Sequence, residues 1–221
     1  MPGDDFFASR GDQWYNKADE YWKSVPATVN GMLGGFESLS APDVRESRVF
    51  LRRLIENHSL DTEIALDCGA GIGRVTKNTL LPIFAKADLV ELNPAFVAEA
   101  RTLLPADRVE NFFCSDLQDF TPQAGRYSVI WIQWVIGHLT DEDFVAFLDR
   151  CKTGLRPGGM VCIKDNVLKH GYAVDEDDSS ITRSDGMIKA LFAKSTLTLV
   201  DEALQAKFPA SMMPVMMYAL R

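Results

Sequence analysis

The sequence predicts a doubly wound α/β fold with a mostly parallel sheet, on three observations. From residue 63 onward short apolar runs alternate with helical stretches, the rhythm of βαβ units. The first of these runs meets a glycine cluster, Gly69, Gly71 and Gly73, which suits a tight strand-to-helix turn. The run at 127–132 is continuously apolar, as a strand covered on both faces must be.

Each element follows from local pattern. Strands are predicted at 63–67, 88–91, 109–114, 127–132, 160–164, 196–203 and 215–220, seven in all. Helices are predicted at 74–84, 94–104, 141–154 and 184–193, the third ending at Arg156-Pro-Gly-Gly159. Ahead of them, residues 12–25 carry Trp14, Tyr15, Ala18, Tyr21, Trp22 and Val25 at helical spacing, and Pro26 stops that helix. Asn30-Gly31 and Gly34-Gly35 mark a mobile connection, and a second helix runs from Ser40-Ala-Pro-Asp43 to about residue 57. The chain thus divides into an N-terminal helical extension, 1–57, expected to act as a lid over substrate and cofactor, and a catalytic unit, 58–221.

Bulk properties exclude several classes. A chain of 221 residues with 47% hydrophobic and 24% charged residues suits one soluble α/β domain. No apolar run approaches the roughly 18–20 residues a membrane span needs. Residues 1–15 lack the basic and apolar regions of a signal peptide, so the expected location is intracellular, in the nucleus, the cytoplasm or both. The net charge of −8, without a block of Lys or Arg, makes nucleic acids poor partners and suits a basic or neutral acceptor. Cys68, Cys114, Cys151 and Cys162 have no C-x-x-C spacing and read as reduced core residues; with three histidines and no paired ligand spacing, no metal site is expected.

The glycine turn alone fits several nucleotide chemistries. Asp67, just ahead of it, sharpens the reading: a carboxylate there receives a cationic amino acid moiety and repels a pyrophosphate. Glu91 ends the second strand, where an acid accepts hydrogen bonds from ribose hydroxyls, with Leu92 and Asn93 beside it. Leu117 and Gln118 follow the third strand at the place of an adenine pocket, and Gln133 ends the fourth in the same crevice. Together with Gly69, Gly71 and Arg74 these residues order the site for S-adenosylmethionine (SAM), ahead of NAD.

At this point the chain resembles the α-N-terminal protein methyltransferases. The likeness is carried by Asp67-Cys-Gly-Ala-Gly-Ile-Gly-Arg74, Leu117-Gln-Asp-Phe-Thr-Pro122, Trp131-Ile-Gln-Trp-Val-Ile-Gly-His-Leu-Thr140, Leu155-Arg-Pro157 and Ile163-Lys-Asp-Asn166. Tyr21-Trp-Lys23, Pro26, Thr28-Val29, Gly31-Met-Leu-Gly-Gly35 and Ala219-Leu-Arg221 extend it over nearly the whole chain. The resemblance implies a seven-stranded class I methyltransferase sheet. It also implies methylation of the free α-amine of proteins that begin X-Pro-Lys or X-Pro-Arg after loss of the initiator Met, leaving S-adenosylhomocysteine. By motif, Gly69, Arg74, Glu91, Leu117, Gln118 and Gln133 contact SAM. Trp22, Leu33, Trp134, Asn166 and Asp175 bind the peptide N-terminus, while Asp178 and His138 deprotonate it. Glu91 stands where the family usually has Asp. Met212-Met-Pro214 stands where an aromatic is more usual, so Met213 is given no role.

The residues alone leave other readings open. His138 also suits a polar residue closing a strand, Asp175-Glu-Asp-Asp178 a solvated loop, and Trp22 and Trp134 core positions, as Trp131 is. As pocket walls the two tryptophans would stack on the substrate proline and tolerate a methylated ammonium. A small-molecule methyltransferase with Gly34-Gly35 in its lid, and a SAM-binding scaffold without turnover, are the alternatives.

Overall fold

The computed structural model describes residues 6–7, 10–11, 13–209 and 211–221. Asp12, the expected start of the aromatic helix, lies outside the described residues, as do residues 1–5 of the leader. Helix α1 spans Gln13–Ser24 and turns Trp14 and Ala18 inward; α2 is Val29–Met32, and α3 is Ser40–His58. The sheet begins with β1 (Ile64–Cys68) and β2 (Lys86–Glu91), followed by α4 (Pro94–Leu103), β3 (Val109–Cys114) and β4 (Tyr127–Gln133). It closes with α5 (Asp141–Gly154), β5 (Leu155–Asn166), β6 (Tyr172–Asp175), β7 (Ser180–Arg183), α6 (Asp185–Phe192), β8 (Leu199–Leu204) and β9 (Val215–Leu220).

Seven strands form one sheet in the order β3-β2-β1-β4-β5-β9-β8, parallel through β5, with β9 and β8 antiparallel. Every residue of β1 and β4 is buried. Alternate side chains feed two cores, as strand geometry dictates. Leu66, Ile130 and Ile132 pack with Phe144 and Phe147 of α5 on one face, while Ala65, Val129 and Trp131 pack with Phe50, Leu51 and Leu54 of α3 on the other. Strand order reverses between β1 and β4, so the connections leaving their carboxyl ends part and open a crevice.

Several expectations change. The connection at Asn30-Gly31 is not a bare linker: it forms α2, capped by the Thr28 hydroxyl, which accepts from Gly31 N at 3.1 Å. The stretch after Arg74 winds as a π-helix over Thr76–Leu80, with Leu81 N donating to Thr76 O. Between residues 166 and 184, where no strand is predicted, the chain forms the β6–β7 hairpin, and the acidic run is its turn. Cys114, at the end of β3, is exposed, whereas Cys68, Cys151 and Cys162 are buried.

The end of the sheet away from the crevice rests on Asp88. This buried carboxylate in β2 accepts from Arg126 Nε (2.8 Å), Tyr127 Oη (2.9 Å), Asn111 N (3.0 Å) and Asn111 Nδ2 (3.1 Å). Asp88→Ala leaves the guanidinium and the phenol without their acceptor and is expected to cost about 3 kcal/mol of stability. Urea unfolding measures that loss, and SAM affinity in the folded variant should hold, since no cleft residue is touched.

Candidate active site

The glycine turn is the floor of the crevice. Gly69 has φ 67°, and a Cβ there would lie 2.8 Å from Val135 Cγ2, so the turn presses against the end of β4. Gly71 has φ 55°; its N–H donates to Glu91 Oε2 at 2.8 Å, and a Cβ would meet Met32 Sδ at 2.5 Å. Met32 of the extension therefore closes over bare backbone. Glu91 also accepts from Asn93 N at 2.8 Å through Oε1. Burial raises its pKa above the usual carboxylate value, and the backbone donors oppose the rise. Its unused lone pairs suit the hydroxyls of a ribose. The longer arm of Glu is absorbed by this double backbone grip.

Gly69, Gly71, Arg74, Glu91, Leu92, Asn93, Leu117, Gln118 and Gln133 all line one cleft. Asn93 is partly committed elsewhere: Oδ1 caps α4 through Ala95 N at 2.9 Å, and Nδ2 donates to Trp22 O at 3.1 Å. Asp67 is not in the wall. It is buried behind the turn, its Oδ2 accepts the Thr76 hydroxyl at 2.6 Å, and burial pushes its pKa up to about 6. A carboxylate so placed braces the turn instead of facing an ammonium directly. Met32, Phe96 and Val135 also line the cleft. They were not anticipated, because apolar wall residues carry no sequence signal that separates them from core.

A second pocket adjoins the first, and Trp22, Met32, Trp134 and His138 belong to both. Leu33, Asn166, Asp178 and Asp165 line the second pocket alone. Asp175 does not reach it: its carboxylate is exposed and accepts from Asp177 N at 2.9 Å within the hairpin turn. Asp165 was missed as a site residue, although it stands inside the Ile163-Lys-Asp-Asn166 motif. Its Oδ1 accepts from Asn166 N at 2.8 Å, and burial pushes its pKa up to about 7. Met213 also lines this pocket, although the departure of Met212-Met-Pro214 from the family pattern carries no role onto it.

Three residues that line this second pocket each hold a buried polar atom without a hydrogen-bond partner: Asp165 Oδ2, Asp178 Oδ1 and Trp134 Nε1. Unpaired buried polar atoms are uncommon, and two carboxylate oxygens with one donor form a set that a peptide amine and carbonyl would satisfy. Trp134 has φ 54°, a left-handed conformation costing a non-glycine residue about 1–2 kcal/mol. That backbone turn lets β4 end with an indole between the two pockets.

His138 has a defined tautomer. Trp22 Nε1, which can only donate, lies 3.0 Å from His138 Nε2, so Nε2 is the acceptor and carries no proton. Nδ1–H then donates to Ser179 O at 3.1 Å. Trp14 Nε1 grips the same turn from the other side, donating to His138 O at 2.7 Å. Desolvation lowers the His138 pKa, opposed by Asp178 and the Ser179 carbonyl.

Two measurements follow. A depressed folded pKa gives stability that is present above the unfolded value, about 6.5, and lost as pH falls through the folded value. Protonated His138 would also set a second donor against the Trp22 indole. The Tm of the protein should therefore drop between pH 7 and 5 by more than that of His138→Gln; parallel curves would refute this linkage. In the cleft, Gly71→Arg combines a strained φ with a side chain driven into Met32, and calorimetry of the folded variant should show no SAM binding.

Comparison with known proteins agrees with this geometry. Residues 10–221 match the model of the AdoMet dependent proline di-methyltransferase family. The N-terminal Xaa-Pro-Lys N-methyltransferase 1 of Danio rerio is 49% identical over 212 residues, covering 94% of this chain and 95% of the relative. That of Homo sapiens is 46% identical over 213 residues, covering 95% and 96%. A solved SAM-dependent methyltransferase from Leishmania major superposes with a TM-score of 0.91 at 41% identity, over 99% of this chain and 87% of that one. The glycopeptide N-methyltransferase MtfA, solved with SAM, shares the fold at a TM-score of 0.65 and 16% identity. No helix among the described residues is long and apolar enough to cross a membrane, and no group of three His, Cys, Asp or Glu among them is placed to hold a metal ion. The chain, over nearly its whole length, belongs to the AdoMet-dependent proline di-methyltransferase family.

Proposed function

We propose that this protein methylates the free α-amino group of protein N-termini of the X-Pro-Lys or X-Pro-Arg type, with Asp178 and His138 as its proton acceptors. The observation that carries this reading is the pair of adjoining pockets sharing Trp22, Trp134 and His138, one lined by the glycine turn and Glu91 and the other by Asp165 and Asp178, each of which keeps a carboxylate oxygen without a partner. SAM supplies an electrophilic methyl group on a sulfonium. Gly69, Gly71, Glu91, Leu117 and Gln118 hold it, with Leu92, Asn93, Arg74 and Gln133 completing the wall; Asp67 supports the turn from behind.

The acceptor must present a neutral nitrogen lone pair in line with that methyl. An α-amine, with pKa about 7.7–8.0, is partly neutral near pH 7.4, whereas a lysine amine at about 10.4 is neutral about once in a thousand molecules. A weak base therefore suffices, and most of the acceleration comes from holding the partners in line. Asn166 and the free Oδ1 of Asp178 orient the amine, and Asp178 takes its proton. His138, with Nε2 occupied by Trp22, is the second acceptor, uncovered when the indole moves onto the substrate proline. Leu33 and Trp134 complete the walls around that proline. Asp175, on the exposed hairpin turn, attracts the Lys or Arg that follows.

The partners are accordingly the N-terminal tails of other proteins, not nucleic acids or membranes. An intracellular site of action, in nucleus, cytoplasm or both, fits four free thiols, one of them exposed.

Radiolabelled SAM with the peptide Ser-Pro-Lys-Arg and its N-acetylated form tests the reading. Label is expected on the free peptide alone; lysine labelling of the acetylated form would exclude α-amine specificity. Asp178→Asn should bind SAM as before and turn over about a hundred-fold more slowly at neutral pH. Raising the pH toward about 9 should restore part of that rate, because the amine then deprotonates unaided. Full activity of Asp178→Asn at neutral pH would remove Asp178 as the base.

A further inference from the structure

Asp43, in the first turn of α3, is a charged residue with no part in the chemistry above, and it is fully buried. It ties together three side chains from three other elements. Oδ2 accepts from Arg74 Nη1 at 2.8 Å, and Oδ1 accepts from Gln133 Nε2 at 2.9 Å and from Lys164 Nζ. Its backbone carbonyl accepts from Lys164 Nζ at 3.1 Å, and Ser47 Oγ takes a further bond from that ammonium at 2.8 Å. Arg74 Nη1 also donates to Ser40 Oγ at 3.4 Å, so residues of the extension hold one end of the guanidinium. Lys164 is itself fully buried, and Arg74 nearly so.

Asp43 is absent from the cleft wall, yet two of its three partners, Arg74 and Gln133, form part of that wall. Gln133 is fixed at both ends of its amide, since Oε1 accepts from Trp131 Nε1 at 3.0 Å. Arginine and glutamine are rotamer-rich side chains, and ordering them on binding costs affinity that a prior restraint removes. Arg74 is the cation of the cluster that reaches the cleft wall. An anionic group of a ligand is the natural complement to that guanidinium. Both cations of the cluster lie over Trp134, with Arg74 Cζ 5.7 Å and Lys164 Nζ 6.0 Å from the ring centroid.

We propose that Asp43 is a positioning residue of the cofactor site: from the N-terminal extension it orients Arg74 and Gln133, the cleft-wall side chains that receive the carboxylate end of SAM. This rests on the reading of the glycine-turn cleft as the SAM site. It makes the extension part of the cofactor-binding machinery as well as a cover over the acceptor.

Calorimetry with SAM and steady-state kinetics on the full chain test it. Asp43→Asn should weaken SAM binding about ten-fold or more while kcat at saturating SAM and the peptide KM change less than about three-fold, a split that general loss of structure does not produce. Arg74→Met should weaken SAM binding to a similar degree. The Asp43→Asn/Arg74→Met pair should lose less SAM affinity than the product of the two single losses, because Asp43 acts in part through that arginine. If Asp43→Asn does not fold, Asp43→Asn/Lys164→Met removes one charge of each sign from the cluster, and the same loss of SAM affinity is expected. SAM affinity within about two-fold of wild type in either folded Asp43 variant overturns the proposal when Arg74→Met is impaired. Unchanged affinity in Arg74→Met overturns the assignment of the cleft, and the proposal with it.

Discussion

Everything in the site depends on one topological constraint, the reversal of strand order between β1 and β4. A right-handed crossover from β1 leads to one side of the sheet and the connection from β4 to the other. The backbone between them has no neighbour to fill the gap at the carboxyl ends. Gly69 and Gly71 then bring bare main chain to the edge of that gap, and Glu91 and Gln133 close its flanks from the adjoining strand ends. A different strand order would scatter these residues along the sheet even if every element kept its length.

The extension supplies what the sheet cannot. A parallel sheet offers only its strand ends to a ligand, and in this chain those ends are occupied by the cofactor cleft. The second pocket needs further walls, which come from α1, α2 and the β6–β7 hairpin. Trp14 and Trp22 grip the His138 turn from two sides, while the hairpin brings Asp178 to the same place. Three of the residues where these walls meet, Trp134, Asp165 and Asp178, each keep a buried polar atom without a hydrogen-bond partner.

Much of this was legible in the sequence for physical reasons. β1 and β4 announce themselves because a strand buried on both faces has no polar positions. Gly69, Glu91 and Gln133 are recognisable because each ends a strand, where the fold places its ligands. The hairpin was not legible: strands of four residues flanking an acidic turn carry too few apolar positions to show a period. The π-helical turn at Thr76–Leu80 has the composition of an α-helix, so its wider winding leaves no mark in the sequence. Asp165 was hidden by its neighbours, standing between Lys164 and Asn166 where one polar residue looks like another. Asp67 was placed correctly beside the turn but on the wrong side of it, because a strand residue two positions ahead of a glycine can face either the ligand or the core.

Cys114 ends β3 with its thiol exposed, 3.5 Å from the carbonyl of Leu92, itself a residue of the cofactor cleft. The thiols of Cys68, Cys151 and Cys162 are buried, and burial pushes their pKa values up, which withholds the reactive thiolate. A maleimide dye would therefore attach at one place on the unmodified chain. The label would sit at the mouth of the cleft, where its emission can follow the arrival and departure of ligand without any engineered cysteine.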